Sequence, residues 1–245
     1  MIDSDWPRQL WLARHGESTG NVADRTAREA GSPRLELSTR DPDVPLTDTG
    51  RAQAQSLGGW LSRQAGPPTV ALCSPYARAS STAEIALRAA GIELPLVRDE
   101  RLRERDLGVL DGYTGAGIRQ AYPEESARRD HLGKFYYRPP GGESWSDVAL
   151  RVRSVLDSIR LDCGGQDVLV VAHEAVIMVF RYVLEGLTEQ EVLAIQKDDT
   201  LANASVTTYG RSGASLRLRT YNETTHLQAQ GAAVTDEPDV PAGDV

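Results

Sequence analysis

Hydrophobic residues fall along this chain in two rhythms. Unbroken apolar runs at residues 10–13, 69–73, 94–97 and 167–172 have the length of buried strands, the last being the most hydrophobic. Longer stretches repeat their apolar residues at helical spacing. Over 144–160 these are Trp145, Val148, Val152, Val155, Leu156 and Ile159; over 48–64 they are Ala52, Ala54, Leu57, Trp60 and Leu61, behind Thr47 as N-cap. Further helices are predicted over 76–90, ended by Gly91, and over 175–184, ended by Gly186. Short ones are predicted at 22–30, 118–122 and 188–195, while 126–134 is ambiguous. Residues 32–45, with three prolines, and 107–117, with four glycines, read as loops. Residues 204–209 and 215–221 predict a hairpin across 210–213. Strands alternating with helices predict an α/β fold. Its sheet is mostly parallel, has helices on both faces and takes an antiparallel edge from the late hairpin.

Composition changes this picture in a few places. The 245 residues, 40% hydrophobic and 25% charged, fit one domain with a sizeable core. No apolar run approaches a membrane span, and the acidic start followed by Trp6-Pro7 is unlike a signal peptide. The expected setting is the cytoplasm, away from membranes. Net charge is −8, yet five acids lie beyond Asn222 with no Lys or Arg, which leaves the body at −3. That body has no basic excess for nucleic acid. Residues 1–222 therefore read as the working domain. Residues 223–245, aperiodic and rich in Gln, Ala, Pro and Asp, read as a disordered acidic tail. Cys73 reads as a small core residue and Cys163 as a loop residue.

The chemistry gathers where apolar runs stop. The first ends in Arg14-His15-Gly16-Glu17-Ser18-Thr19-Gly20-Asn21. Arg14, turn N–H groups and Asn21 can cradle a phosphoryl group, with His15 as nucleophile. The same stretch spells G-x-S-x-G, the nucleophile elbow of serine hydrolases, with Ser18 attacking. A plain glycine turn beside a surface histidine is the third reading. Only nine residues precede Leu10, too few for the earlier strands an elbow normally needs. Other run ends supply Ser74, with Arg78 one turn further on, and His173; Glu104 stands in the charge cluster 101–106. Parallel strands point their carboxyl ends one way, so these groups can share a rim.

In order and spacing these residues resemble the histidine phosphatase, or phosphoglycerate mutase-like, superfamily over roughly 10–221. The resemblance rests on Arg14-His15-Gly16-Glu17-Ser18 with Asn21, Pro45-Leu46-Thr47 with Gly50 and Gln53, and Ser74-Pro75 with Arg78 and Thr82-Ala83. It continues through Leu102 with Glu104 and Gly108, Gly142-Glu143-Ser144 and Val171-Ala172-His173. The resemblance implies His15 as a nucleophile that becomes phosphohistidine, and a phosphate pocket of Arg14, Asn21, Arg78 and His173. It implies Glu104 as proton donor to the leaving group. Two guanidinium groups and an imidazole can stabilise a phosphoryl group in flight without a metal or cofactor, so none is expected. The expected partner is a small phosphorylated substrate, and a homodimer is allowed.

Phosphoglycerate mutases of the superfamily carry a longer insertion before Gly142-Glu143-Ser144 and a Tyr where Leu107 stands. Both departures favour a phosphatase. Lys134-Phe135-Tyr136-Tyr137-Arg138-Pro139 locally resembles fructose-2,6-bisphosphatase. That enzyme has Gln and Arg where this chain has Glu174 and Met178, which predicts preference for one phosphoryl group on a weakly charged alcohol. Ser18, Arg129, Lys134, Arg138 and Glu174 are the expected substrate contacts. A catalytically silent phosphate-binding protein would usually lack a core residue, and this chain keeps them all.

Overall fold

The computed structural model describes residues 6–236. The apolar runs become strands, and the periodic stretches become the helices that cover them. In chain order come β1 (Gln9–Arg14), α1 (Thr19–Glu29), α2 (Asp48–Leu61), β2 (Val70–Cys73), α3 (Ala77–Ala89) and β3 (Leu96–Arg98). Then follow α4 (Gly115–Ala121), α5 (Pro123–Leu132), α6 (Trp145–Asp162), β4 (Asp167–Ala172), α7 (Glu174–Glu185) and α8 (Glu189–Asp198). β5 (Val206–Ser212), β6 (Ser215–Glu223) and α9 (Thr225–Ala229) complete the series. Short 3-10 turns lie at Asp41–Asp43, Glu100–Leu102 and Gly108–Leu110.

The six strands form one sheet in the order β3-β2-β4-β1-β5-β6. The first four are parallel, and the β5–β6 hairpin joins β1 antiparallel, as the alternation of elements predicts. β4 is buried at every residue because it lies in the middle. The two-residue period of a strand divides its side chains between layers. Leu10, Leu12, Val168 and Val170 pack with α6 and α7, while Trp11, Ala13, Leu169 and Val171 pack with α2 and α3.

Several boundaries differ from the sequence pattern. The ambiguous stretch is α5, with Pro123 in its first turn and Glu124 and Glu125 at its positive end. α4 starts inside the glycine-rich loop because Thr114 caps it by accepting from Gly117 N–H. The hairpin turn is narrower than predicted, since β5 continues through Gly210 to Ser212.

The largest correction concerns the tail. Residues from 223 onward are not disordered as far as 236. Glu223 ends β6, and α9 follows with His226 and Leu227 buried. Composition misses this because a handful of well-placed contacts holds the segment, without any amphipathic period. The remainder of the predicted tail, 237–245, lies outside the described residues. Among the described residues no helix is long and apolar enough to cross a membrane. Cys73 and Cys163 are both buried and free.

Candidate active site

β1, β2 and β4 end on one rim and deliver His15, Ser74 and His173 to one cleft. The turn after β1 is held from three sides. Gly16 N–H donates to Thr82 Oγ1 of α3 at 3.0 Å, and Glu17 N–H donates to Gln53 Oε1 of α2 at 2.7 Å. Thr47 Oγ1 donates to the Glu17 carboxylate at 2.8 Å. Gly50 lies so close to the Glu17 carbonyl that no Cβ fits there. The residues that accompany the Arg-His motif in the sequence therefore form its cradle.

His15 is buried, and its Nδ1 lies 2.8 Å from the Gly16 carbonyl oxygen. A carbonyl only accepts, so Nδ1 carries the proton and Nε2 keeps its lone pair. Burial first, then the Arg78 and Arg14 charges, hold the imidazole well below its ordinary pKa. The ring is therefore neutral near pH 7, with the Nε2 lone pair available. Ser18 is differently occupied. It is the N-cap of α1, closing a capping box in which its hydroxyl accepts from Asn21 N–H at 3.2 Å and lies 2.9 Å from Asn21 Oδ1. A hydroxyl with this task, and no histidine bonded to it, is not an elbow nucleophile.

His173 faces His15 edge-on with ring centroids 5.0 Å apart. Its Nε2 meets Ser74 Oγ at 2.8 Å, and its Nδ1 is buried without a hydrogen-bond partner. Such an orphan atom points to a polar ligand in the cleft. Glu104 Oε2 stands 3.9 Å from that Nδ1, while Glu104 Oε1 accepts from Arg105 N–H at 2.8 Å. Burial, aided by Asp41 and Glu174 and opposed by the Arg105 N–H and Arg78, pushes the Glu104 carboxyl up to about 7. It can therefore carry a proton near neutrality, as a donor must.

The two arginines are nearly inaccessible to solvent. Arg14 donates to the Leu201 carbonyl and lies 3.6 Å from Glu174 Oε2. Arg78 donates to the Asp41 carbonyl at 2.7 Å and pairs with both Asp41 carboxylate oxygens, at 2.9 and 3.3 Å. Asp41 sits in the proline-rich loop, whose Arg34, Leu37 and Arg40 also line the cleft of about 710 Å³.

The mouth corrects part of the expected substrate set. Ser18, Lys134 and Glu174 line the cleft; Arg129 and Arg138 do not. Arg138 is solvent-facing and pairs with Asp147 at 2.9 Å. Arg129 is set back, near enough for its charge to weigh on Arg105 and Lys134. Met178 is wholly buried in the core beneath the site, so it cannot report on the substrate. Arg105 lines the cleft unforeseen. It was hidden because alternating charges at 103–106 look like a solvated surface. Burial, opposed by Glu104 and aided by Arg129, lowers Arg105 to about 10; burial with Arg105 and Arg129 lowers Lys134 to about 7. Asp41 was also missed, as was Tyr76, which lines the cleft with its ring 5.3 Å from that of His173. No local pattern marks a loop acid that will reach an arginine on a distant helix.

Comparison with known proteins identifies the family. The model of the histidine phosphatase superfamily (branch 1) matches residues 10–224. A 2,3-bisphosphoglycerate-dependent phosphoglycerate mutase from Methylobacterium radiotolerans is 35% identical over 192 residues, 77% of this chain and 84% of that protein. The 6-phosphofructo-2-kinase/fructose-2,6-bisphosphatase of Gallus gallus is 33% identical over 185 residues, 75% of this chain but only 34% of that bifunctional protein. The structure of a mycobacterial glucosyl-3-phosphoglycerate phosphatase superposes with a TM-score of 0.69 at 28% identity, covering 89% of this chain and all of that one. With the family signatures folded into one cleft, the chain belongs to the histidine phosphatase superfamily, branch 1.

Proposed function

We propose that the protein is a metal-independent phosphomonoester hydrolase working through phosphohistidine. The observation that carries this is the state of His15: Nδ1 tied to the Gly16 carbonyl, Nε2 unprotonated, and the ring kept neutral by burial first and by the Arg78 and Arg14 charges after it. Nε2 attacks phosphorus as the bond to the ester oxygen breaks, and Glu104 gives that oxygen its proton. A water then attacks the phosphohistidine, yields its proton to the Glu104 carboxylate and releases orthophosphate. Arg14, Arg78 and the orphaned His173 Nδ1 hold the equatorial oxygens through both steps.

Identity to a phosphoglycerate mutase favours a second reading, in which the phosphoryl group returns to a sugar acid before water arrives. Leu107 and the short span before Glu143-Ser144 favour hydrolysis. The preference for a neutral alcohol, expected from Glu174 and Met178, loses its basis. Met178 is in the core, and Glu174 is engaged by Arg14 and by Gln196, whose Nε2 donates to it at 3.1 Å. Arg105 and Lys134 share the cleft, and burial disfavours the charged form of each, so a second anionic group on the substrate would offset that cost for both. The substrate class proposed is a phosphomonoester bearing a carboxylate or second phosphate. A panel of monoesters should release orthophosphate undiminished in EDTA, with kcat/KM about tenfold higher when a second anion is present. Loss of activity in EDTA with return on added magnesium or zinc would refute the mechanism. Isomerisation of phosphoglycerate faster than phosphate release would favour the mutase.

Asp41 competes with this substrate for Arg78. Asp41→Asn leaves the backbone carbonyl that anchors the guanidinium at 2.7 Å but removes the carboxylate charge. A close charge pair is worth about 4 kcal/mol at an effective dielectric near 20, and solvent around this 39%-exposed side chain screens it to about 1 kcal/mol. Orthophosphate inhibition should tighten roughly fivefold in Asp41→Asn, measured as the product-inhibition constant.

A further inference from the structure

The segment after β6 runs back across α2 and ends behind the nucleophile. Leu227 is fully buried there, and His226 Nε2 lies 3.0 Å from the Ala204 carbonyl oxygen. Burial depresses the His226 pKa, so the ring is neutral and donates this bond. Trp60 Nε1 donates to Glu223 at 3.2 Å. Gln230 fills the space over Gly59, where no Cβ could fit without displacing it. The chain is thereby delivered, fixed, to Ala233 and Thr235.

Thr235 meets two fully buried amide side chains. Its Oγ1 accepts from Gln53 Nε2 at 2.8 Å and donates to Asn203 Oδ1 at 3.0 Å, while its carbonyl accepts from Asn203 N–H at 2.8 Å. Gln53 Nε2 also donates to the Ala233 carbonyl at 2.9 Å. The far ends of both amides hold the nucleophile turn. Gln53 Oε1 accepts from Glu17 N–H at 2.7 Å, and Asn203 Nδ2 donates to the His15 carbonyl at 3.3 Å. Ala204 N–H reaches the same carbonyl at 3.1 Å from a backbone at φ 55°, a conformation an alanine keeps only when its surroundings enforce it.

We infer that residues 224–235 are a positioning element, in which Thr235 orients Gln53 and Asn203 and through them the His15–Glu17 backbone. The inference rests on His15 being the nucleophile. One hydroxyl serves as donor to one amide and acceptor from the other, so its loss leaves Asn203 Oδ1 without this donor and Gln53 Nε2 with the Ala233 carbonyl, and loosens the hold of both on the turn. A nucleophile displaced by a fraction of an ångström loses rate more than substrate affinity, because Arg14 and Arg78 are anchored elsewhere.

The test compares Thr235→Val, which keeps shape without hydrogen bonding, Thr235→Ser, and a truncation after Gly231 that keeps α9. Expected are a roughly tenfold fall in kcat with KM within twofold in Thr235→Val, at least as large a fall on truncation, and recovery in Thr235→Ser. The His15 imidazole resonances of histidine-labelled protein should shift in Thr235→Val and return in Thr235→Ser. Wild-type kcat and unmoved His15 resonances in Thr235→Val, beside an inactive His15→Ala, would overturn this inference alone. Full turnover by His15→Ala would overturn both it and the reading beneath it.

Discussion

His15→Ala is expected to lower turnover by on the order of 10⁵-fold, the scale on which a covalent nucleophile is lost from a hydrolase. No neighbouring side chain can replace it. His173 is the other imidazole at the site, but its Nε2 is committed to Ser74 and it stands on the next strand over. Ser18 is spent on the start of α1. Ser18→Ala should cost about 1 kcal/mol of stability, as a lost N-cap does, and only a modest part of the activity. Acid-quenched turnover should trap a phosphoenzyme that is labile in acid and stable in alkali, as a phosphoramidate is. The label should be absent from His15→Ala and present in Ser18→Ala. Alkali-labile label on Ser18, or inactivation by a fluorophosphonate, would reinstate the serine reading.

Glu104→Gln is expected to lower kcat for an alkyl phosphate by about 10²–10⁴-fold, the usual contribution of a positioned acid. For an aryl phosphate, whose phenolate leaves without help, the loss should be under tenfold. The pH profile gives an independent check. With its carboxyl raised to about 7, Glu104 keeps its proton below that pH and loses it above. Wild-type kcat/KM for the alkyl ester should therefore fall as pH rises through about 7. Protonation of His15, held well below 6.5, should cut activity only on the acid side. In Glu104→Gln the limb near 7 should vanish while the acid limb stays. Equal losses on both esters with the alkaline limb intact would assign Glu104 a structural role.

Much of this was legible in the sequence because strands and helices impose different periods, and because Arg14, His15, Arg78 and His173 each follow a recognisable apolar run. Leu10 to Ala13 alternates between two layers, and Trp145 to Ile159 lines one helical face, so the sheet and its cover follow from spacing alone. What escaped depends on approaches between distant segments. Asp41 finds Arg78 only when the proline-rich loop folds over the cleft. Arg105 resembles its exposed neighbours until the rim closes around it. Thr235 stands in a stretch whose composition matches disorder, yet it meets two buried amides. Met178 misled in the opposite sense. Standing where a relative has Arg, it suggested a cation missing from the substrate site, while its place on α7 turned it into the core.

The position of β4 also governs when the enzyme comes into being. Its partners on either side, β2 and β1, lie far earlier in the chain, and they do not touch each other without it. A growing polypeptide that has just left the ribosome through β2 has an arginine and a histidine with no shared cleft to occupy. Only when residues 167–172 emerge and insert can the sheet close, and that insertion carries His173 in with it. Sheets that wait for such distant pairing fold slowly and leave apolar edges open meanwhile. Nascent chains stalled before β4 should therefore be chaperone clients without phosphatase activity, and the cleft should be complete only after Leu201 and Asn203 have followed to anchor Arg14 and the His15 carbonyl.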